Sequence, residues 1–235
     1  MADRLQGVTR RELLKLSPLL GLGAFAVPSW RDRLLSAGVS LSDEASALLF
    51  RRDHSVLLRP DAEVVPFDRF PYNFYDVMEP PVDLGTWVLK VGGAVARPGS
   101  YTLDQIRALP KVVQNTRHVC VEGWDVVGRF GGARLGEFLA MVGADRGARF
   151  LTVTCADDYY ESLDMETALH PQSLLCYEMY DRPLNLGHGA PLRLSLPTKV
   201  GYKHAKHLLT LDVVHVLPAR RSYWGDQGYS WYAGL

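Results

Sequence analysis

From Thr86 onward the chain alternates short strand-like and short helix-like runs in no regular order, and that irregularity limits the folds open to it. Trp87 to Val91 alternates apolar and polar residues as a strand does, and so does Val112 to Val121. Phe150 to Thr154 and Leu174 to Met179 also read as strands, and Leu192 to Leu196 and Leu208 to Leu217 are β-rich. Between them lie short helical patterns. Tyr101 to Leu109 has Thr102 as its cap and Leu103, Ile106 and Leu109 inward. Arg134 to Val142 places Leu135, Phe138, Leu139 and Val142 on one face, and Met165 to Leu169 is a third short helix. Regular alternation would imply a doubly wound parallel sheet. Its absence predicts an α+β fold of mixed β-sheets with short helices. Gly128, Gly131 and Gly132 are expected in a loop and do not make a dinucleotide fingerprint.

The candidate chemistry lies at the end of the second strand. Cys120 sits in Arg117-His118-Val119-Cys120-Val121-Glu122-Gly123-Trp124, where the strand pattern stops at a glycine. The preceding Gln114-Asn115-Thr116-Arg117-His118 is polar enough to surround an anion. A lone thiol in this position admits two readings, a soft thiolate ligand for a metal or a small buried hydrophobe. The other two cysteines, Cys155 and Cys176, could pair if their strands were adjacent, but two buried thiols are the expectation. Three cysteines make no disulfide framework.

Composition adds a charge asymmetry. With 47% hydrophobic and 22% charged residues the chain reads as globular, and a net charge of +0 gives no bulk case for nucleic-acid binding. From Leu151 to Asp181 there are seven acidic residues and no Lys or Arg. From Arg182 to Arg221 there are seven Lys or Arg, one acid (Asp212), and His188, His204, His207 and His215. Such a cationic segment suits an anionic, phosphorylated ligand, or it is a solvated basic face.

Three ordered blocks carry a resemblance. The Cys120 segment resembles the cysteine motif of the sulfite oxidase superfamily. Leu174-Leu175-Cys176-Tyr177-Glu178-Met179-Tyr180-Asp181-Arg182-Pro183-Leu184, followed by His188-Gly189-Ala190-Pro191-Leu192-Arg193-Leu194, is similar to a second family signature. Pro197-Thr198-Lys199-Val200-Gly201-Tyr202-Lys203-His204-Ala205-Lys206 is the third. The resemblance spans about residues 66 to 232 and implies the sulfite oxidase-type molybdopterin-binding fold, with Mo-molybdopterin as cofactor. It makes Cys120 the molybdenum ligand and a catalytic residue. Arg193 and Lys206 would grip the pterin phosphate, with His204 and the backbone of Ala205 between them and His188 in contact. Tyr72, Tyr75 and Asp76 resemble the family's N-terminal cofactor loop, and Cys155 and Asp157 lie in another cofactor-contacting region. Trp224 to Tyr229 resembles the segment of an active-site tyrosine, so Tyr229 is its counterpart or part of a packed aromatic tail. Phe74 stands where sulfite oxidases carry an arginine for the sulfite anion, and Arg117 or Arg129 would have to replace that clamp.

The implied activity is oxygen-atom transfer to or from a small sulfur or nitrogen compound, such as sulfite oxidation. Reduction of methionine sulfoxide or another S- or N-oxide is the alternative, as in the bacterial single-domain branch. A non-catalytic module keeping the fold is a third reading. With no haem or dinucleotide motif, the expected electron partner is a separate cytochrome or membrane haem subunit. The dimerisation domain of the animal and plant enzymes is not expected to follow Leu235, and a monomer is anticipated.

The N-terminus, Thr9-Arg10-Arg11-Glu12-Leu13-Leu14-Lys15, resembles the twin-arginine export motif. Leu16 to Val27 follows as an apolar run shorter than the about 20 residues that span a bilayer, and Ala24-Phe25-Ala26 offers a cleavage pattern. The expected organisation is a signal peptide over 1–28, an extended arm or linker over 29–65 and a molybdopterin-binding catalytic domain over 66–235, exported folded to the periplasm. Within the arm, Leu34-Leu35 and Ala45 to Phe50 could form short helices, with Ser42-Asp43-Glu44 as a cap.

Overall fold

The computed structural model describes residues 54–71, 74, 80 and 82–235, together with Gly38, Leu41, Asp43 and Ala45. The chain divides into two compact units, Met1–Ser42 and Asp43–Leu235, and the fold below is that of the second. The twin-arginine segment, Leu34-Leu35, residues 46–50, Tyr72, Tyr75 and Asp76 lie outside the described residues.

Two sheets carry the unit. The first contains β1 (Leu89–Gly93), β2 (Gly99–Tyr101), β5 (Phe150–Cys155), β6 (Tyr160–Asp164) and β10 (Leu208–Val214), in the order β2-β1-β10-β5-β6. Its β1 and β10 pair in parallel, Lys90 opposite Thr210, and the remaining neighbours are antiparallel. The second contains β3 (Lys111–Val119), β4 (Asp125–Arg134), β7 (Leu174–Met179), β8 (Arg182–Pro183) and β9 (Arg193–Ser195). Here the order is β3-β4-β7-β8, with β9 also on β7. Among the described residues, α1 (Leu103–Arg107), α2 (Leu135–Val142) and α3 (Met165–Leu169) lie between strands, and α4 (Tyr223–Asp226) follows β10. The expected α+β class is therefore the observed one.

The helices form where local chemistry starts and stops them. Thr102 accepts from the Gln105 amide while the Gln105 side chain accepts from the Thr102 amide, a reciprocal cap at the start of α1. Helix α2 buries Leu135, Phe138, Leu139 and Val142 and ends at Gly143. That face packs with Leu89, Leu151, Leu194, Leu208 and Leu211 into the larger core. A smaller core gathers Phe70, Phe130, Leu174, Cys176 and Met179.

One expectation is overturned. Gly128, Gly131 and Gly132 lie inside β4, the longest strand, and not in a loop. A β-carbon on Gly132 would sit 2.2 Å from the Leu175 carbonyl oxygen. The β4–β7 register also shifts between Gly131 and Gly132. The glycine is required by close approach of two strands, which overrides its poor strand propensity.

Residues 54–65, the described part of the expected arm, follow the second sheet. The Arg59 amide donates to the Asn115 carbonyl at 3.0 Å and the Val65 amide to that of Val127 at 3.0 Å. Leu41 and Asp43 are already helical, so the expected cap at Ser42-Asp43-Glu44 is not a helix start, and the Asp43 carboxylate holds the C-terminal tail. It accepts from Ser230 Oγ at 2.5 Å and from the Trp231 and Tyr232 amides at 3.2 and 3.1 Å.

Candidate functional site

Strand β3 ends at Val119, and Cys120 follows in the hairpin turn to β4. The turn is closed by the Cys120 amide donating to the Trp124 carbonyl at 2.9 Å and the Gly123 amide to that of Cys120 at 3.1 Å. It holds the half-buried thiol at one end of a cleft of about 170 Å³. Asp157 and Tyr159, after β5, form one wall of the cleft. Arg193 of β9 and the stretch Gly201, Tyr202, His204, Ala205 and Lys206 form another. Phe70, Pro71, Phe74, His118, Val121, Glu122, Trp124 and Trp224 complete it.

The wall that carries Arg193 and Lys206 is cationic. Arg193 is only 4% exposed. Its guanidinium donates to two carbonyls, that of His188 at 3.0 Å and that of Leu194 at 3.3 Å. Among the described residues no carboxylate lies within ion-pair distance of it. A buried charge without a counter-charge is costly, so this one fits an anionic ligand. Gly189, in a left-handed conformation with φ 100°, lets its loop close on this side. A β-carbon there would lie 2.8 Å from Lys206 Cβ and 3.2 Å from Arg193 Cβ.

The same charges act on the histidines. Burial first, then Arg193 and Lys206, lowers His188 to about 4. Burial and Arg193 lower His204 to about 3. His204 is neutral with both ring nitrogens engaged: Nδ1 accepts from the Leu196 amide at 3.3 Å and Nε2 faces the Lys199 carbonyl at 3.2 Å. Its ring stands edge-on to His118 at 4.7 Å. The buried Nδ1 of His118 has no hydrogen-bond partner among the described residues. Burial raises the Cys120 thiol, and the charge of the Glu122 carboxylate adds to that rise.

These shifts predict a pH effect. An ordinary histidine titrates near 6.5. Because His188 and His204 titrate lower in the folded chain, the unfolded chain binds protons that the folded chain refuses as pH falls below about 6.5. Folding stability is then complete above that pH and declines towards pH 4, by up to about 1.4 kcal/mol per pH unit for each histidine. Urea unfolding of the cofactor-free protein at pH 7 and pH 5.5 checks this. Equal stability at both values would contradict it.

Of the expected site residues, the cleft brings together Cys120, Asp157, Arg193, His204, Ala205 and Lys206. His188 does not line it. Buried between Phe67 and Phe70, it presents its carbonyl to Arg193. Cys155 is buried behind the wall, and it and Cys176 are separate free thiols as expected. Tyr229 is 40% exposed and lies outside the lining, packed on Trp224 at 5.3 Å and Tyr202 at 6.1 Å. Of the polar run before Cys120, only His118 reaches the cleft. Gln114 and Asn115 bond the Gln172 and Arg59 carbonyls, and Arg117 pairs with Asp125 at 2.6 Å. Arg129 pairs with Asp181 at 2.8 Å, so neither arginine supplies a clamp at the thiol. Sequence reasoning missed Trp124, Tyr159, Tyr202 and Trp224 as lining residues. Each lies within or beside a recognised block, and that adjacency was the available signal.

One sheet of mixed and one of antiparallel pairing, with a thiol at a strand end facing a cationic wall across one cleft, suit a domain that holds an anionic cofactor. Residues 77–224 match the family described as the oxidoreductase molybdopterin binding domain, and the chain belongs to that family. A putative protein-methionine-sulfoxide reductase subunit YedZ1 from Azospira oryzae is 44% identical over 169 residues, covering 70% of this chain and 63% of that protein. A protein-methionine-sulfoxide reductase catalytic subunit MsrP from Xanthomonas axonopodis is 33% identical over 159 residues, covering 61% of this chain and 49% of that one. The chain thus spans between about half and two thirds of the length of these relatives. The sulfane dehydrogenase SoxCD of Paracoccus pantotrophus shares the fold, with a TM-score of 0.54 at 18% identity over 58% of this chain and 40% of that one.

Proposed function

We propose that this chain is the catalytic subunit of a molybdopterin-dependent S-oxide reductase. It would convert a methionine sulfoxide to the thioether, consuming two electrons and two protons and releasing water. The observation that carries the reading is one cleft holding both the Cys120 thiol and the buried Arg193 guanidinium, which has no carboxylate partner among the described residues. Molybdopterin, when bound, supplies a dithiolene-held molybdenum competent for oxygen-atom and electron transfer, so the protein need add only one ligand. Cys120 fits that need. Among the described residues no group of three or more His, Cys, Asp or Glu could hold a metal ion.

The chain's own residues then hold, orient and exclude. Arg193 and Lys206 would bind the phosphate, the first with a fork of donors and the second as a point charge. Burial pushes the Asp157 carboxyl up from its ordinary value, with the Tyr159 and Asp157 amides and Lys206 opposing that rise. Phe74, Trp124 and Trp224 add apolar surface to the cleft, which suits an uncharged thioether or sulfoxide better than sulfite. The naming of relatives as methionine-sulfoxide reductase subunits favours the same substrate class. The word subunit in those names also supports a separate electron-delivering partner, such as a membrane haem protein or a cytochrome. The Arg10-Arg11 motif supports export of the folded protein.

The test is metal and pterin analysis of the purified full-length protein, with turnover assayed in both directions using artificial electron donors and acceptors. Molybdenum, pterin and reduction of methionine sulfoxide are expected in the extracytoplasmic fraction, and Arg10→Lys with Arg11→Lys should keep them in the cytoplasm. Sulfite oxidation without sulfoxide reduction would overturn the substrate assignment. A fully matured protein free of molybdenum would overturn the enzyme.

A further inference from the structure

Behind the cationic wall lies a buried ion pair that the proposed chemistry does not use. The Lys203 side chain is 1% exposed and that of Glu161 0%, with Nζ 2.6 Å from Oε1. Lys203 Nζ also donates to the Ser162 carbonyl at 2.7 Å, and the Ser162 amide donates to Glu161 Oε1 at 2.8 Å. Ser162 Oγ donates to the Arg221 carbonyl at 2.5 Å, which ties the start of the tail to the same strand. Lys203 Nζ lies 5.3 Å from the centre of the Trp231 ring, whose Nε1 donates to Ser162 Oγ at 2.8 Å. Three separate pieces of chain therefore meet at one pair: the Gly201–Lys203 turn, strand β6 and the C-terminal tail.

Neither Lys203 nor Glu161 lines the cleft, but their chain neighbours do: Gly201, Tyr202, His204, Ala205 and Lys206 on one side and Tyr159 on the other. Trp224, two residues beyond Ser222, also lines it. Two further bonds run parallel to the pair. Tyr159 Oη donates to the Tyr202 carbonyl at 2.8 Å, and Tyr202 Oη to the Ser230 carbonyl at 2.7 Å. A pair so buried adds little stability over an apolar replacement of the same size, so its use must lie in what it fixes.

We propose that the Lys203–Glu161 pair is a positioning device that locks the turn over 201–206 and the tail over 222–232 to β6, so that the cofactor-binding wall is formed before the cofactor arrives. This rests on the molybdopterin reading of the cleft. The pair touches neither cofactor nor substrate and acts through Tyr202, Ala205, Lys206 and Trp224. Preformed walls of this kind raise affinity by removing the ordering cost at binding.

The experiment compares three proteins, each full-length, in loaded and cofactor-free forms. Lys203→Met alone leaves the Glu161 carboxylate buried and should lower Tm by roughly 10 °C. The apolar pair Lys203→Met with Glu161→Leu should recover most of that loss. Cofactor release from the double variant should still be at least about tenfold faster than from the native protein, because loss of an outer-shell partner typically costs 10- to 100-fold. The gap in Tm between loaded and empty forms should narrow accordingly. A release rate and a loaded-minus-empty gap equal to those of the native protein would overturn the proposal, whatever the absolute Tm. Hydrogen exchange on the native protein keeps the test open if the variants do not fold. The amides of 201–206 and of 222–232 should open together as one unit, and independent opening would overturn the proposal. A native protein that holds no pterin would fail the cofactor reading instead, and the exchange result would still decide the coupling.

Discussion

Cys120→Ser is expected to yield a folded protein whose turnover falls by at least about 100-fold, since replacing the ligand itself should cost no less than the 10- to 100-fold typical of an outer-shell change. Oxygen is a harder donor than sulfur, so the metal would sit in an altered ligand field even with the pterin in place. The fold should tolerate the change. The thiol is half-buried at the cleft edge, and the hairpin around it is closed by backbone bonds between Cys120, Gly123 and Trp124. Turnover, molybdenum content and the metal's spectrum check this together. Full activity with an unchanged spectrum would remove Cys120 from the metal.

Arg193→Met should separate binding from folding. In the empty chain it removes two hydrogen bonds to carbonyls but also an unpaired buried charge, and these oppose each other. The Tm of the cofactor-free variant should therefore lie within a few degrees of native. In the loaded protein the loss is one-sided. A hydrogen bond to a charged group is worth about 1.5–3 kcal/mol, which corresponds to roughly 10- to 100-fold in affinity. Purified variant should contain less molybdenum and pterin, and loading should raise its Tm by less. Native cofactor content would show that Arg193 does not hold the anion, and the cationic wall would need another explanation.

Some of this was legible in the residues and some was not. Helix α1 was readable because its Thr102–Gln105 cap is purely local, and α2 because its apolar face repeats with the helix. Strand β4 was not, because the merit of Gly132 lies in the Leu175 backbone opposite it, which is remote in sequence. Strand β6 escaped because Tyr-Glu-Ser-Leu-Asp shows no strand alternation, and Glu161 is buried against Lys203, which is remote in sequence. For the site, Cys120, Arg193, His204, Ala205 and Lys206 were legible in motif blocks, and the fold draws them into one cleft. Asp157, matched more loosely, also lines it. The aromatic partners were harder. Trp224 and Tyr229 stand close together on one tail, and only the packing of Tyr229 onto Trp224 decides which ring faces the cleft. His188 shows a further limit: its neighbourhood was legible, but its contribution is made by its carbonyl, an atom every residue has.

The parallel pairing of β1 with β10 orders events during synthesis. It joins Lys90 to Thr210, so the middle of the first sheet stays open until residue 210 is available. Closing so long a segment must precede any reward from the contacts it makes, which places this pairing late in folding. The residues from Gly201 to Lys206 enter the cleft immediately before β10 and are fixed in the same late step. A ribosome-bound chain that has not yet released residue 214 therefore presents Cys120 on a finished hairpin but no opposing wall. On the proposed reading, the wall that meets the anion is completed only once β10 has paired, whereas the hairpin that carries the thiol is not waiting for it.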